Sequence, residues 1–129
     1  MKTFKFFVAV LFFSLLSTST FAQAIPKNGS YEYGGKDGGG LIEVKNATAT
    51  GFDFFLNVST GMHSGTIEDG KTKKKGKVYV FKGSVEEFNE DCELSFDFKG
   101  SQLKVIDKGG SCGFGQGITA EGTYKFKSK

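Results

Sequence analysis

Apolar and polar residues alternate along several short segments of this chain. One apolar face consists of Phe52, Phe54, Leu56 and Val58, and a second of Cys92, Leu94, Phe96 and Phe98. Because successive side chains of a β-strand point to opposite faces, this period predicts half-buried strands of an antiparallel sheet. No window sustains the 3.6-residue apolar period of a helix. The segment Ser84 to Asp91 has room for a single helical turn at most.

Eight such segments, each bounded by Gly, Asn, Asp or Ser, recur at the spacing of a small barrel or sandwich. The predicted strands are Ser30 to Tyr33, Gly40 to Lys45, Gly51 to Val58, Ser64 to Glu68, Lys77 to Lys82, Cys92 to Phe98, Gln102 to Asp107, and Gly122 to Lys127. We therefore predict an all-β fold, a small antiparallel up-and-down β-barrel of about eight strands. A two-sheet β-sandwich is the alternative.

The first 24 residues have the three-part layout of a secretory signal peptide. Lys2 and Lys5 precede an apolar run of about eleven residues, which is too short to span a bilayer as a helix. Cleavage is expected after Ala24, or alternatively after Ala22. There is no cysteine near either site to which a lipid anchor could be attached. Residues 25–129 then form a single periplasmic or secreted domain without a membrane anchor.

The composition of the predicted mature chain argues against a nucleic-acid partner. The leader holds two of the seventeen lysines and no acid, so residues 25–129 carry fifteen lysines against fourteen acids. A nucleic-acid binder normally has a strong basic excess on one face. The charges cluster along the chain instead, with a basic run from Lys71 to Lys77 and an acidic run from Glu86 to Glu93. Both are predicted to be solvated loops, or alternatively a bipolar surface that steers a charged partner.

The two cysteines predict one disulfide, because an even count in an exported chain is typical of structural bridges. The turn at Lys99–Ser101 makes a hairpin of the strands on either side and brings Cys92 close to Cys112. The bridge would then tie the Gly-rich loop from Gly109 to Gly117 onto the preceding strand.

That loop has two interpretations. Its glycines superficially resemble a phosphate-binding loop, but the residues that follow predict a turn and a strand instead of the helix such a loop needs. The loop is therefore either a structural cap that packs Phe114 over one barrel end or a rigid recognition surface. In the second case the binding residues are Gly113, Phe114, Gly115 and Gln116.

Catalytic and metal-binding signals are weak. His63, the single histidine, stands beside Ser64 in a predicted exposed turn, without the sequence signature of a nucleophile. The acidic run lacks the alternating acids and central glycine of a calcium loop. We expect no catalytic residue, no metal and no cofactor, and predict a non-enzymatic exported binding module. The alternatives are a barrel that binds a small hydrophobic ligand and, less favoured, a small hydrolase.

The C-terminal third resembles small exported bacterial β domains. The resemblance rests on Cys92-Glu93-Leu94-Ser95-Phe96, Cys112-Gly113-Phe114-Gly115 and Glu121-Gly122-Thr123-Tyr124-Lys125. Some of those domains are similar to lysozyme-inhibitor-like proteins, which implies a secreted protein such as lysozyme as a partner. The chain has no segment that matches the inhibitory loop of those inhibitors, so the resemblance implies no functional residue.

The leader generates the first testable prediction. Protein recovered from the periplasm or the medium should have the intact mass of residues 25–129, because the leader is removed during export. A mass corresponding to residues 23–129 would move the cleavage site to Ala22. A mature species that retains Met1 would contradict the prediction of an exported, processed chain.

Overall fold

Nine strands form one antiparallel sheet in the computed structural model, which describes residues 25–85, 90–108, 112, 114 and 118–129. They are β1 (Gly29–Gly35), β2 (Gly38–Lys45), β3 (Asp53–Thr60), β4 (His63–Lys71), β5 (Lys73–Lys75), β6 (Val78–Val85), β7 (Glu90–Lys99), β8 (Gln102–Asp107) and β9 (Gly122–Ser128). Their spatial order is β4-β3-β2-β1-β9-β8-β7-β6-β5. The sheet is a nearly closed barrel, which confirms the all-β barrel prediction and excludes two separate sheets.

All eight predicted strands are present, and the ninth corrects one prediction. The basic run from Lys71 to Lys77 was expected to be a loop, but Lys73–Lys75 is β5 and pairs with the first residues of β6. Buried Thr72 lies between exposed Lys71 and Lys73, so the run alternates as a strand does. The segment Ser84 to Asp91, which had room for a helical turn, is strand at both ends: Ser84 and Val85 belong to β6, and Glu90 and Asp91 begin β7. The end of the acidic run is therefore a strand and not a loop, and residues 86–89 lie outside the described residues.

The barrel closes where β4 passes into β5. The Thr72 amide donates to the Phe52 carbonyl oxygen at 2.9 Å, and the Phe52 amide donates to the Thr72 hydroxyl at 3.0 Å. One residue pair further along, the Lys74 amide donates to the Thr50 carbonyl oxygen at 2.8 Å. The segment before β3 therefore pairs with the start of β5, and a single bent strand serves both edges of the sheet.

Inward-facing side chains fill the barrel. The core cluster contains fifteen buried residues, and most are aromatic or branched aliphatic side chains at alternate strand positions. Phe52, Phe54, Leu56 and Val58 are all buried, as are Cys92, Leu94 and Phe96. The predicted inner faces of β3 and β7 are therefore confirmed. Dense packing of this kind is the main stabilising contribution that a domain of this size can make.

Three tyrosines fasten connecting segments to the barrel. The phenol of Tyr31 donates to the Lys27 carbonyl oxygen at 2.7 Å, that of Tyr79 to Ala49 at 3.4 Å and that of Tyr124 to Ala120 at 2.7 Å. Burial raises the pKa of all three phenols above the usual value, which keeps them protonated as donors. Each bond satisfies a carbonyl that lies outside the strands.

The two ends of the barrel are covered differently. At one end, which contains the β5–β6 and β7–β8 turns, buried Pro26 lies close to Tyr79 and Phe98. At the opposite end, the residues that lead into β9 lie against the core, with Ala120 fully buried and Ile118 packed against the core cluster. We call the second of these the loop end.

The predicted disulfide is present and anchors the loop end. Cys92, which is buried on the inner face of β7, is bonded to Cys112, and their Cα atoms are 4.7 Å apart. The hairpin register places Leu94 opposite Asp107, so the chain leaves β8 beside Cys92. The bridge therefore closes a covalent ring that is anchored on β7 at the loop end.

Replacing Cys112 should measure the contribution of this ring. Cys112→Ser should lower the free energy of unfolding by about 3 kcal/mol, since the bridge spans 20 residues and restricts the unfolded chain. Urea unfolding of the wild type and the variant gives the difference. A reductant should shift the wild-type midpoint and leave that of the variant unchanged. Equal stability of the two oxidised proteins would contradict a structural role for the bridge.

Candidate functional site

The sequence predicted a binding site in the tethered loop, and its central aromatic residue lies against the barrel. Phe114 is half-buried and packs against the core cluster. Its ring lies so close to the Cα atom of Gly65, on the inner face of β4, that a Cβ atom there would overlap it. The other predicted binding residues, Gly113, Gly115 and Gln116, lie outside the described residues. Phe114 therefore helps to cover the loop end.

His63 and Ser64 begin β4 and are both exposed. His63 lies opposite Thr60 and Ser64 opposite Ser59, across the short turn at Gly61 and Met62. Because neighbouring residues of a strand point to opposite faces, the two side chains diverge. In the part of the chain that the structure describes, no group of three or more His, Cys, Asp or Glu residues could hold a metal ion.

A groove crosses the outer face of β9, β1, β2 and β3. Its volume is about 770 Å³, and its floor consists of the outward-facing positions Gly34, Gly39 and Leu41, with the backbone of Gly40 between the last two. Gly34 lies directly opposite Gly39, so two neighbouring strands lack a side chain at the same place on the outer face. The groove exists because large side chains are missing between two polar walls.

The groove walls are polar and carry mixed charge. On the β9 side they are Thr123, Lys125 and Lys127, and on the β3 side Asn57 and Ser59. Glu32 lies opposite both Lys125 on β9 and Leu41 on β2, so it stands between the lysines and the floor. The Asn57 amide donates to the Thr66 hydroxyl at 3.0 Å, which orients the far wall. The arrangement offers hydrogen-bond donors and acceptors on a rigid sheet.

Sequence reasoning did not identify this groove. The predicted strands end at Tyr33 and resume at Gly40, which leaves Gly34, Gly35, Gly38 and Gly39 in an expected turn because glycine is common in turns. The strands in fact extend to Gly35 and from Gly38, so all four glycines lie within paired strands. A signal was available, since glycine is unfavourable inside a strand and often marks a place where another chain or a ligand approaches closely.

The barrel end that Pro26 covers is rich in lysine. Two pockets there share Lys27, one lined also by Lys74 and Lys77 and the other by Lys45 and Lys129. We call this surface, defined by these five lysines, the basic end. Lys27 Nζ lies 4.1 Å from the centre of the Phe126 ring, and Lys74 Nζ lies 5.6 Å from that of Tyr79. These cations are thus held over aromatic faces.

The carboxylate of Asp53, near the basic end, already has local partners. Asp53 accepts hydrogen bonds from the Asn46 amide at 3.0 Å and from Lys71 Nζ at 3.2 Å. The Asn46 bond and then the Lys71 bond lower the pKa of Asp53 below its usual value. Asn46 has a left-handed backbone, with φ of 53°, in the turn that begins this connection. The negative charge of Asp53 is therefore compensated by Lys71 and not by a lysine of the basic end.

The contact between Phe114 and Gly65 generates a stability prediction. Phe114→Ala should lower the free energy of unfolding by about 1–3 kcal/mol, since it removes a half-buried aromatic side chain. Gly65→Ala should also destabilise the protein because its Cβ atom would overlap the Phe114 ring. In the double variant the two costs should be less than additive, because the overlapping ring atoms are gone.

Gly34→Ala is the matched control for adding a methyl group to a strand glycine. Its Cβ atom would have no neighbour closer than 3.7 Å, so stability should change little. Urea unfolding of the five proteins completes the comparison. Strict additivity of Phe114→Ala and Gly65→Ala would contradict the contact.

Comparison with known proteins adds no further assignment. The chain matches no protein-family model, no curated protein and no solved structure. The described residues contain no helix long and apolar enough to cross a membrane.

Proposed function

We propose that this protein is an exported, non-enzymatic binding module that takes up a segment of a partner protein in the outer groove. The observation that carries the proposal is the groove floor, where Gly34 and Gly39 face each other across two strands. Glycine inside a strand weakens the sheet. The neighbouring backbone accounts for Gly39, because a Cβ atom there would lie 2.6 Å from the Tyr33 carbonyl oxygen, but no such contact accounts for Gly34. A partner that approaches the backbone at Gly34 would account for it.

The packed interior supports a site on the outside of the barrel. Phe52 alone makes edge-to-face contacts with Phe54, Tyr79, Phe96 and Phe98, with ring centres 5.3–6.1 Å apart. Aromatic side chains thereby fill the space that a small apolar ligand would need. This favours the binding module over the alternative of a barrel that carries a hydrophobic ligand.

The chemistry of the groove favours a protein segment as its occupant. Small-molecule sites are mostly apolar and enclosed, whereas this groove is open and walled by lysines, hydroxyls and an amide. Lys125 and Lys127 would attract acidic or polar groups of a partner, and Glu32 would select against a uniformly acidic one. The resemblance of the C-terminal third to lysozyme-inhibitor-like domains makes lysozyme the first partner to test.

The hydrolase alternative has weaker support. His63 and Ser64 diverge on an exposed strand, and neither lines the groove. A broad hydrolase screen of the purified protein separates the two classes. Turnover that His63→Ala abolishes would replace the binding proposal with catalysis, and native mass spectrometry that detects a co-purified apolar ligand would favour the carrier alternative.

Filling the groove tests the binding proposal. Gly34→Leu places a side chain on the floor, where an added Cβ atom meets nothing closer than 3.7 Å, so the fold should persist. We expect lysozyme binding, measured by surface plasmon resonance and by inhibition of cell-wall lysis, to weaken at least about tenfold, because the occupant loses its space. The melting temperature is measured alongside.

Gly35→Leu is the matched control. Gly35 is the next residue of β1 and does not line the groove, and an added Cβ atom there meets nothing within 4 Å. Its binding should equal that of the wild type. Equal loss in both variants would contradict a site in the groove. Failure of the wild type to bind would reject lysozyme as the partner.

A further inference from the structure

The basic end has a charge imbalance that the binding groove does not explain. Five lysines line its two adjoining pockets, and the one carboxylate among the residues lining them is Glu43. Among the described residues, the ion pairs join Lys71 to Asp53, Lys82 to Glu93 and Lys99 to Asp97. None of these pairs uses a lysine of the basic end.

Two exposed acids, Glu68 and Asp69, lie on the Lys45 side of the basic end, where they line a neighbouring pocket. Two other local acids do not offset the charge of the lysines because they are already paired. Asp53 and Asp97, which lie towards this end on β3 and β7, have Lys71 and Lys99 as partners. The exposed lysines Lys73 and Lys75 on β5 add further positive charge beside the pockets. Positive charge concentrated at one end of a nearly neutral chain produces a directional field.

An exposed apolar side chain lies among the lysines of the basic end. Ile25 is 60% exposed and lines the same pocket as Lys27, Lys74 and Lys77. Pro26, the next residue, is buried and fixes the segment to the barrel. Cleavage after Ala24, as predicted above, would add the α-amino group of Ile25 to the same surface. An exposed isoleucine is thus held in place among cations.

We propose that the basic end docks on the surface of an anionic lipid bilayer, with its lysines near the headgroups and Ile25 inserted between them. Stable attachment of a protein to a membrane surface generally needs two signals, and a basic patch beside an apolar group supplies both. A soluble anion would satisfy the lysines but would leave Ile25 exposed. The lipid surface accounts for both observations.

This inference concerns a different surface from the groove and does not depend on the proposed function. The groove lies on the outer face of β9, β1, β2 and β3, whereas the basic end is formed by the N-terminal segment, the β5–β6 region, Lys45 at the end of β2 and Lys129 after β9. Vesicle binding and lysozyme binding are separate measurements, so either can fail while the other holds.

Co-sedimentation with vesicles tests the proposal. Protein recovered after export is mixed with vesicles of pure phosphatidylcholine, or with vesicles that also contain phosphatidylglycerol. We expect binding to the anionic vesicles only, and weaker binding as salt is raised from about 20 to about 300 mM, since screening shortens the range of the field. Lys27→Gln/Lys74→Gln/Lys77→Gln should lower the partition coefficient about 100-fold, at roughly fivefold per lysine.

Lys36→Gln/Lys104→Gln/Lys108→Gln is the matched control, because it removes the same charge from exposed lysines outside the basic end. It should bind nearly as the wild type does. An equal loss of vesicle binding in both triple variants would mean that binding depends only on net charge, and it would overturn the proposal. Absence of wild-type binding at low salt, at unchanged melting temperature in all variants, would also overturn it.

Ile25→Ser separates a membrane from a soluble polyanion. The variant keeps every lysine, so weaker vesicle binding with unchanged binding to immobilised heparin supports insertion of Ile25 between lipids. Vesicle binding equal to that of the wild type, fully competed by soluble heparin, would assign the basic end to a polyanion and overturn the lipid proposal.

Discussion

Phe52 joins the packing of the core to the closure of the sheet. Its ring lies 5.3–5.4 Å from those of Tyr79, Phe96 and Phe98, which come from β6 and β7, the two strands beyond β5. Its backbone bonds to Thr72, where β4 bends into β5. One residue therefore supplies edge-to-face aromatic contacts to β6 and β7 and the hydrogen bonds that bring the edges of the sheet together. The remaining strands are arranged around this junction.

A core filled in this way leaves the outer face of the barrel as the place for the proposed binding site. Buried aromatic side chains leave the strands rigid, and a rigid sheet can present a groove of constant shape at low entropic cost. The glycines that form the groove floor are tolerated because β1 and β2 are held by neighbours on both sides. The groove is thus a consequence of the same sheet that encloses the core.

The two ends of the barrel differ in chemistry because they are covered in different ways. A disulfide and Phe114 close the loop end, where the chain must cross from β8 to β9. The N-terminal segment covers the other end, held by the bond from Tyr31 to the Lys27 carbonyl. The lysines of the adjoining turns and strand ends collect around that segment. Closure of the barrel therefore creates one covalently fixed end and one basic end.

The sequence by itself determined eight of the nine strands, the inner faces of β3 and β7 and the disulfide, because these depend on the local period of two and on a single pair of cysteines. It also identified Phe114 as a cap candidate, though without the contact to Gly65. Only the tertiary structure decided that Lys73–Lys75 is a strand, that Gly34 faces Gly39, and that Lys27, Lys45 and Lys129 share one surface. These features depend on pairing between residues distant in the chain, which local periodicity does not specify, and on the order in which the strands meet around Phe52.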